Sequence, residues 1–273
     1  MKKFAILFVT LLLLVSLLAG CGGGGATTSK DLTITPGKLT IGTEPAYPPM
    51  EFIDEQTGET VGFDIDLAKA LAEELGLEVV FVPVAWDGIF IGLDTEKYDA
   101  IMSSVSMTNE RLPNFEFTTP YLANGQVIVV KPGDQSVKTP ADLEGKKVGV
   151  QFQTTSDIAC QKHMASGVNF ELIQYDSVDL AFLAMRSGNV NTIVVDMAVA
   201  IDYVGKYPDL YEISSASLTN EPISICIKKG NTALKDEMQK ALDAVIEDGK
   251  LSEISVKWLK ADYTQNIDTE LRE

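Results

Sequence analysis

From residue 39 the chain alternates short apolar runs with longer amphipathic ones, and the series is repeated. Runs of strand length fall at 39–42, 79–82, 98–102 and 126–130, with helix patterns at 64–75 and 86–93. A second series places strands at 147–150, 170–173, 192–195 and 223–227 and helices at 155–164, 178–186 and 198–204; two more helices, 231–247 and 251–259, follow. The helices are read from period. Leu67, Leu71 and Leu75 recur at i, i+4, i+8 with Gly76 just beyond them, and Leu234, Met238, Ala241, Leu242 and Ile246 form one stripe. Thr139-Pro140 carries a helix-start signature, while Ala46-Tyr47-Pro48-Pro49 reads as a loop because two prolines remove ladder donors. Strand–helix alternation of this kind argues for an α/β fold with mostly parallel sheets. The final helices have no strands of their own, so the simplest arrangement returns them to the first section. The expected organisation is a first lobe of 38–122 plus 228–260, a second lobe of 126–222 and a tail at 261–273. Two strands cross between the lobes near 122–126 and 223–227. Two such lobes, with strand ends facing one crevice, make a ligand site.

The first twenty residues read as an export signal. Lys2 and Lys3 precede an apolar run over 4–18, which as a helix spans about 22 Å, short of the roughly 30 Å of a bilayer core. Leu18-Ala19-Gly20-Cys21 resembles the bacterial lipobox, in which the Cys is lipidated and becomes the new N-terminus. Two acyl chains there suffice for stable anchoring. Residues 21–37, opening on Gly22-Gly23-Gly24-Gly25 after Cys21, read as a flexible leash. The body is thus expected to be exported, extracytoplasmic and tethered to the membrane by lipid. Lys+Arg 22 against Asp+Glu 39 gives a net charge of −17, which excludes a general nucleic-acid binder. Three Cys and one His are too few for a disulfide scaffold or a His/Cys metal cluster, and neither a metal nor a cofactor is expected.

The residues with chemistry to offer stand where strands end. Arg111 follows a Ser/Thr-rich loop, Ser103-Ser104-Val105-Ser106-Met107-Thr108, and its planar fork suits a carboxylate that hydroxyls and loop N–H groups can share. Asp196 ends the apolar run Thr192-Ile193-Val194-Val195 and is placed to hold an ammonium. Thr154 and Thr155 open a helix, whose free N–H groups attract negative charge. Tyr47 and Trp86 are aromatics in connecting segments, able to sandwich a side chain, and Glu44 follows the first strand. Taken singly, each has a structural competitor. Arg111 is also readable as a salt-bridged loop residue, Asp196 as a helix cap, Tyr47 and Trp86 as core, and Ser103 to Ser106 as a polar turn.

Taken in order, these residues resemble the polar-amino-acid class of bacterial extracellular solute-binding proteins, family 3, which feed ABC importers. The resemblance covers residues 38–259 and is carried by four motifs. The first is Ile41-Gly42-Thr43-Glu44-Pro45-Ala46-Tyr47-Pro48-Pro49-Met50, and the second Val61-Gly62-Phe63-Asp64-Ile65-Asp66-Leu67. The third is Asp99-Ala100-Ile101-Met102-Ser103-Ser104-Val105-Ser106-Met107-Thr108-Asn109-Glu110-Arg111, and the fourth Gly145-Lys146-Lys147-Val148-Gly149-Val150. The resemblance implies the two-lobed periplasmic-binding (Venus-flytrap) fold with two crossover hinge strands. It implies that Arg111 takes an α-carboxylate with Ser106 and Thr155, and that Asp196 and Ser104, beside Ser103, meet an α-ammonium. Tyr47 and Trp86 match stacking positions, and Glu44 matches an acidic position at the side-chain tip. The implied function is capture without catalysis of a polar amino acid, arginine- or lysine-like, by a monomer that delivers it to an ABC permease.

Two departures bear on the ligand. Gln153 stands where Gly is common and Gln151 precedes it at a pocket-facing position, so two amides are expected to reshape the side-chain pocket and keep glutamine open as a ligand. Met50 replaces a common Phe. Cys160 and Cys226 are able to bridge in an exported protein, but the sequence does not show them adjacent. Two other functions stay open: a dehydratase acting on small cyclic acids with Glu44 as its acid, and a ligand-sensing receptor domain.

Overall fold

The computed structural model describes residues 32–272; the expected signal peptide, Cys21 and most of the leash lie outside the described residues. The chain forms β1 (Lys38–Thr43), β2 (Ala46–Tyr47), β3 (Glu51–Ile53), β4 (Thr60–Val61), α1 (Phe63–Leu75), β5 (Glu78–Pro83), α2 (Trp86–Asp94), β6 (Ala100–Ile101) and β7 (Phe115–Phe117). It then enters β8 (Gln126–Val130), a 3-10 turn at Pro140–Leu143, β9 (Lys147–Gln151), α3 (Thr155–Ala165), β10 (Glu171–Tyr175), α4 (Val178–Arg186), β11 (Thr192–Asp196), α5 (Met197–Lys206) and β12 (Glu212–Ile213). β13 (Cys226–Lys228), α6 (Thr232–Glu247) and α7 (Lys250–Leu259) complete it.

Two five-stranded sheets result, in the orders β5-β1-β6-β13-β7 and β10-β9-β11-β8-β12. They are built alike, and not mostly parallel as the alternation suggested. In each, two of the four pairings are parallel and two antiparallel. The antiparallel half follows from the crossings, because β8 and β13 each enter a sheet from the other lobe and run against the strands already there. The crossings meet where Leu122 and Ile223 form an antiparallel bridge. This is the two-lobed α/β arrangement with paired crossovers. α1 packs against both α6 and α7, while α3, α4 and α5 cover the second sheet.

Local rules account for the elements. Leu39 and Ile41 alternate inward along β1, and every residue of β8 and of β11 is buried, as strands covered on both faces must be. α1 buries Leu67 and Leu71 and ends on Gly76 at φ 64°, the left-handed residue a helix C-terminus favours. α6 buries Leu234, Met238, Ala241, Leu242 and Val245 and leaves Ile246 exposed, which corrects the expected stripe. Eleven residues from Leu234 return to the same face of a 3.6-residue helix, whereas twelve overshoot it by about 100° more. Ala46–Tyr47 pairs with Glu51–Ile53 instead of forming a bare loop, because both prolines fall after the ladder.

One glycine positions the site. Gly62, at φ 141°, lies so close to the Met50 carbonyl that a Cβ there would sit 2.1 Å from its oxygen. The N–H groups of Phe63 and Asp64 then donate to the carbonyls of Pro49 and Met50, each at 3.0 Å, pinning α1 to the segment that carries Tyr47 and Glu51. Cys160 and Cys226 are free: one packs among Ile128, Val148 and Val150, the other beside Trp86 and Tyr98.

Candidate functional site

A cavity lies where the strand ends of the two sheets face each other. Glu44, Tyr47, Trp86, Ser103, Ser104, Ser106 and Arg111 reach it from the first lobe, and Gln151, Thr155 and Asp196 from the second. Ten of the eleven expected ligand contacts thus line one cavity. The eleventh does not. Gln153 is exposed, and its φ of 59° puts it in the left-handed region, on a neighbouring groove with Phe90 and Phe152. Only its backbone carbonyl takes part nearby, accepting a hydrogen bond from Trp86 Nε1 at 3.1 Å. Of the two amides expected to reshape the pocket, Gln151 alone faces it.

Asp196 stands at the end of β11, where α5 begins, but its side chain does not cap that helix. It accepts instead from Tyr47 Oη (2.8 Å), Asn124 Nδ2 (2.8 Å) and Gln126 Nε2 (2.7 Å). Gln126 Nε2 also donates to Thr155 Oγ1 at 3.0 Å, tying Asp196 to the mouth of α3. Burial raises the Asp196 carboxyl above its ordinary value; the three donors and the charge of Arg111 pull against that rise.

Arg111 spends one donor on the Ser106 carbonyl (2.9 Å) and sets its guanidinium 4.9 Å from the Phe90 ring centre and 5.5 Å from that of Trp86. Its burial lowers the affinity for its proton. A guanidinium has five N–H donors in a rigid fork, so most of its hydrogen-bonding capacity remains for an anion. Ser104, at φ 50°, gives its N–H to Asp64 Oδ2 (2.7 Å) and keeps a buried hydroxyl with no partner at the cavity wall. A non-glycine residue held in that region is strained, and such strain gathers at functional sites.

At the other end, Gln151 Nε2 donates to both oxygens of Glu44, at 3.0 and 2.8 Å, bridging the lobes. Burial lifts the Glu44 carboxyl to about 7, against the lowering effect of the bonds from Gln151 and the Trp86 backbone. The Gln151 Oε1 atom is buried without a partner.

The structure adds residues that the sequence reading missed. Glu51 lines the cavity, 1% exposed, accepting from Ser103 Oγ at 2.9 Å. The register pairs it with Tyr47 across β2 and β3, and directly opposed residues share a face. Thr154, already expected with Thr155 at the opening of a helix, also lines the wall, its hydroxyl donating to the Gln151 carbonyl at 2.7 Å. Asn124 and Gln126 hold Asp196 from the crossing segment. Among the described residues no group of His, Cys, Asp and Glu could hold a metal ion, and no helix is long and apolar enough to cross a membrane.

A guanidinium from one lobe and a carboxylate from the other, facing across a hinged crevice, define a two-lobed solute-binding clamp. The chain belongs to the bacterial extracellular solute-binding proteins, family 3, whose sequence pattern matches residues 39–261. It is 33% identical over 225 residues to the ABC transporter arginine-binding protein 1 of Escherichia coli K12, covering 81% of this chain and 90% of that one. The L-cystine-binding protein TcyJ of the same organism is 32% identical over 230 residues, 84% of this chain and 85% of that one. Among solved structures, an ancestral arginine-binding protein bound to arginine superposes with a TM-score of 0.77 at 41% identity, covering 81% of this chain and 98% of that one.

Proposed function

We propose that this protein captures a cationic L-amino acid, of the arginine or lysine kind, between its closing lobes and hands it to an ABC permease. The observation that carries the reading is the charge inventory of the cavity wall: one guanidinium, Arg111, against three carboxyl groups, Glu44, Glu51 and Asp196. A zwitterion uses Arg111 for its carboxylate and Asp196 for its ammonium. That leaves Glu44 and Glu51 for the side chain, together with the unpartnered acceptor Gln151 Oε1. All of these call for a donor-rich, cationic tip. A cystine molecule would instead bring a second zwitterion towards Glu44: its second ammonium suits the acidic wall, but its second carboxylate finds no further cation there. Trp86 and Tyr47 stand beside the side-chain path, and the closed form is favoured because only there does each ligand charge meet its partner.

Capture needs no reacting group, and the Glu44 carboxyl that an acid catalyst would use is already bridged by Gln151. The ammonium anchor, Asp196, has no use in binding a cyclic acid that lacks an amine. The chain is read as a monomer, exported and held to the membrane through a lipidated Cys21.

A thermal-shift screen against the twenty amino acids, followed by calorimetry, tests the reading; arginine or lysine should give the largest stabilisation. Glu44→Gln should lower affinity for arginine on the order of 10- to 100-fold while changing glutamine affinity by less than about threefold, because it removes a charge-assisted bond made only to a cationic tip. Equal losses for the two ligands would remove Glu44 from the tip. The same carboxyl sets a pH dependence. A bound cation favours ionised Glu44, so binding expels its proton, and arginine affinity should rise as pH passes upward through about 7. Cys21→Ser should move the protein from the membrane to the soluble fraction; unchanged membrane fractionation would rule out the lipid tether.

A further inference from the structure

We propose that the C-terminal tail, 261–272, is a strap across the hinge that favours closure and limits how far the lobes open. The proposal needs hinged closure but not the identity of the ligand. The family pattern matches residues 39–261, so all of the tail but its first residue lies beyond it. The root of the tail is fixed to the first lobe. Buried Ser255 on α7 donates through Oγ to the Ala261 carbonyl at 2.8 Å and accepts the Tyr263 N–H at 3.1 Å. Ser252 Oγ donates to Asp262 Oδ2 at 2.6 Å, and Tyr263 packs against the core.

From that root the tail grips both crossings. The crossings pair antiparallel: Ile223 N–H donates to the Leu122 carbonyl at 2.9 Å and Glu221 N–H to that of Asn124 at 3.0 Å. In such a pair alternate residues turn their backbone polar groups towards the partner strand or away from it. Ala123, between Leu122 and Asn124, points its N–H away, and the Tyr263 carbonyl accepts it at 3.0 Å. Asn220, beside Glu221, is held through its backbone and its side chain. Its N–H donates to the Arg272 carbonyl (2.7 Å), and its carbonyl accepts the Arg272 N–H (3.1 Å). Its Nδ2 donates to the carbonyls of Asp268 (3.0 Å) and Glu270 (2.7 Å). Arg272 closes the end of the tail on itself with ion pairs to Asp268 (2.7 Å) and Glu270 (3.2 Å). The tail is therefore anchored in one lobe and holds the outer edge of each crossing, Tyr263 on one and Arg272 on the other.

A hinge bends where a few residues change φ and ψ. Asn220 can make that change only by giving up bonds to a segment that stays with the first lobe. The conformation in which all of these bonds are made is a closed one. Across the cleft Tyr47 Oη reaches Asp196, Gln151 Nε2 reaches Glu44, and Trp86 Nε1 reaches the Gln153 carbonyl. Opening thus costs tail bonds as well as cleft bonds, and the tail exerts this bias without lining the cavity. A clamp whose binding-competent form is better populated binds every ligand more tightly by the same factor.

The test uses the full chain carrying Asn220→Asp, which keeps the shape of the side chain but sets a carboxylate oxygen against the Asp268 and Glu270 carbonyls. Arginine and glutamine are the probes, by calorimetry and stopped-flow kinetics, alongside small-angle X-ray scattering of the ligand-free protein. Affinity should fall by about three- to tenfold, by the same factor for each of the two that binds, with the loss carried by faster dissociation. The ligand-free radius of gyration should rise, and saturating ligand should restore the wild-type value. Deletion of 265–273, checked by thermal unfolding, should reproduce these changes; it spares Tyr263 and its bond to Ala123. Affinity and scattering like those of wild type in both variants would overturn the proposal, as would tighter binding in either. So would a lower unfolding temperature with affinity and radius unchanged, which would make the tail a structural clasp, or a loss for one bound ligand and not the other. If wild type binds neither amino acid, the cationic-ligand reading fails, and the ligand-free scattering alone decides the strap.

Discussion

Arg111→Ala is expected to reduce amino-acid affinity by roughly 10²- to 10⁴-fold, to the point where titration at ordinary concentrations shows no heat of binding. Removing one partner of a buried charge pair costs about 3–5 kcal/mol, and each 1.4 kcal/mol is about tenfold. The ligand carboxylate would enter a space walled by Glu44, Glu51 and Asp196 with no cation to receive it. The free protein should tolerate the change far better. In the empty cleft Arg111 is a desolvated cation, held by the Ser106 carbonyl and by the rings of Phe90 and Trp86. Those ring contacts are worth about 0.5–2 kcal/mol. Thermal unfolding of the unliganded variant should therefore stay near wild type, while the rise that ligand produces in wild type disappears. Affinity like that of wild type would remove Arg111 from the site.

Asp196→Asn should produce a loss of similar size by a different route. Asparagine keeps the shape but replaces one carboxylate oxygen with an NH₂ group. Asn124 and Gln126 both donate to one oxygen and Tyr47 to the other, so the new amide keeps its oxygen towards the two amides and turns its NH₂ to Tyr47 Oη, which must change from donor to acceptor. The ligand ammonium loses its counter-charge at the same time. The expected result is a fall of about 10²- to 10⁴-fold in affinity, again from the cost of an unpaired buried charge, with a measurable fall in stability of the unliganded protein as well. Glutamine and arginine should lose alike, because both carry the same ammonium. A variant that kept its affinity would assign Asp196 to the hinge alone.

The parts of the fold that were legible in the sequence are those fixed by local pattern. Residues 127–130 of β8 and 193–195 of β11 are unbroken apolar runs, and α1 announces itself by three leucines and Gly76. The site was legible for a related reason: side chains at the ends of β1 and β11, such as Glu44 and Asp196, can only face the crevice. What escaped depends on contacts between distant segments. The antiparallel halves of the sheets come from strands that cross between lobes, and nothing in a single apolar run states its direction. Short β7 and β12 exist because a neighbouring strand offers them a partner. Glu51 was missed because Ala46 to Pro49 was read as a loop; the β2–β3 pairing that turns Glu51 onto the face of Tyr47 needs the ladder to form before the prolines. Asn124 and Gln126, one in the crossing segment and one opening β8, carry no charge or motif to flag their hold on Asp196. Gln153 was misplaced for the opposite reason. It sits among pocket residues in sequence, but its left-handed backbone conformation turns the side chain out and leaves only the carbonyl for Trp86.

The central claim is that Arg111 and Asp196, from opposite lobes, neutralise the two ends of one zwitterion. It is tested most directly by pairing the Arg111→Ala change with a ligand that lacks the group Arg111 is said to hold. Calorimetry of arginine and of agmatine, its decarboxylated counterpart, should show wild type favouring arginine by about 10²-fold or more, with the variant binding the two within about threefold of each other. A variant that still preferred arginine over agmatine by the wild-type ratio would place the carboxylate elsewhere and contradict the account.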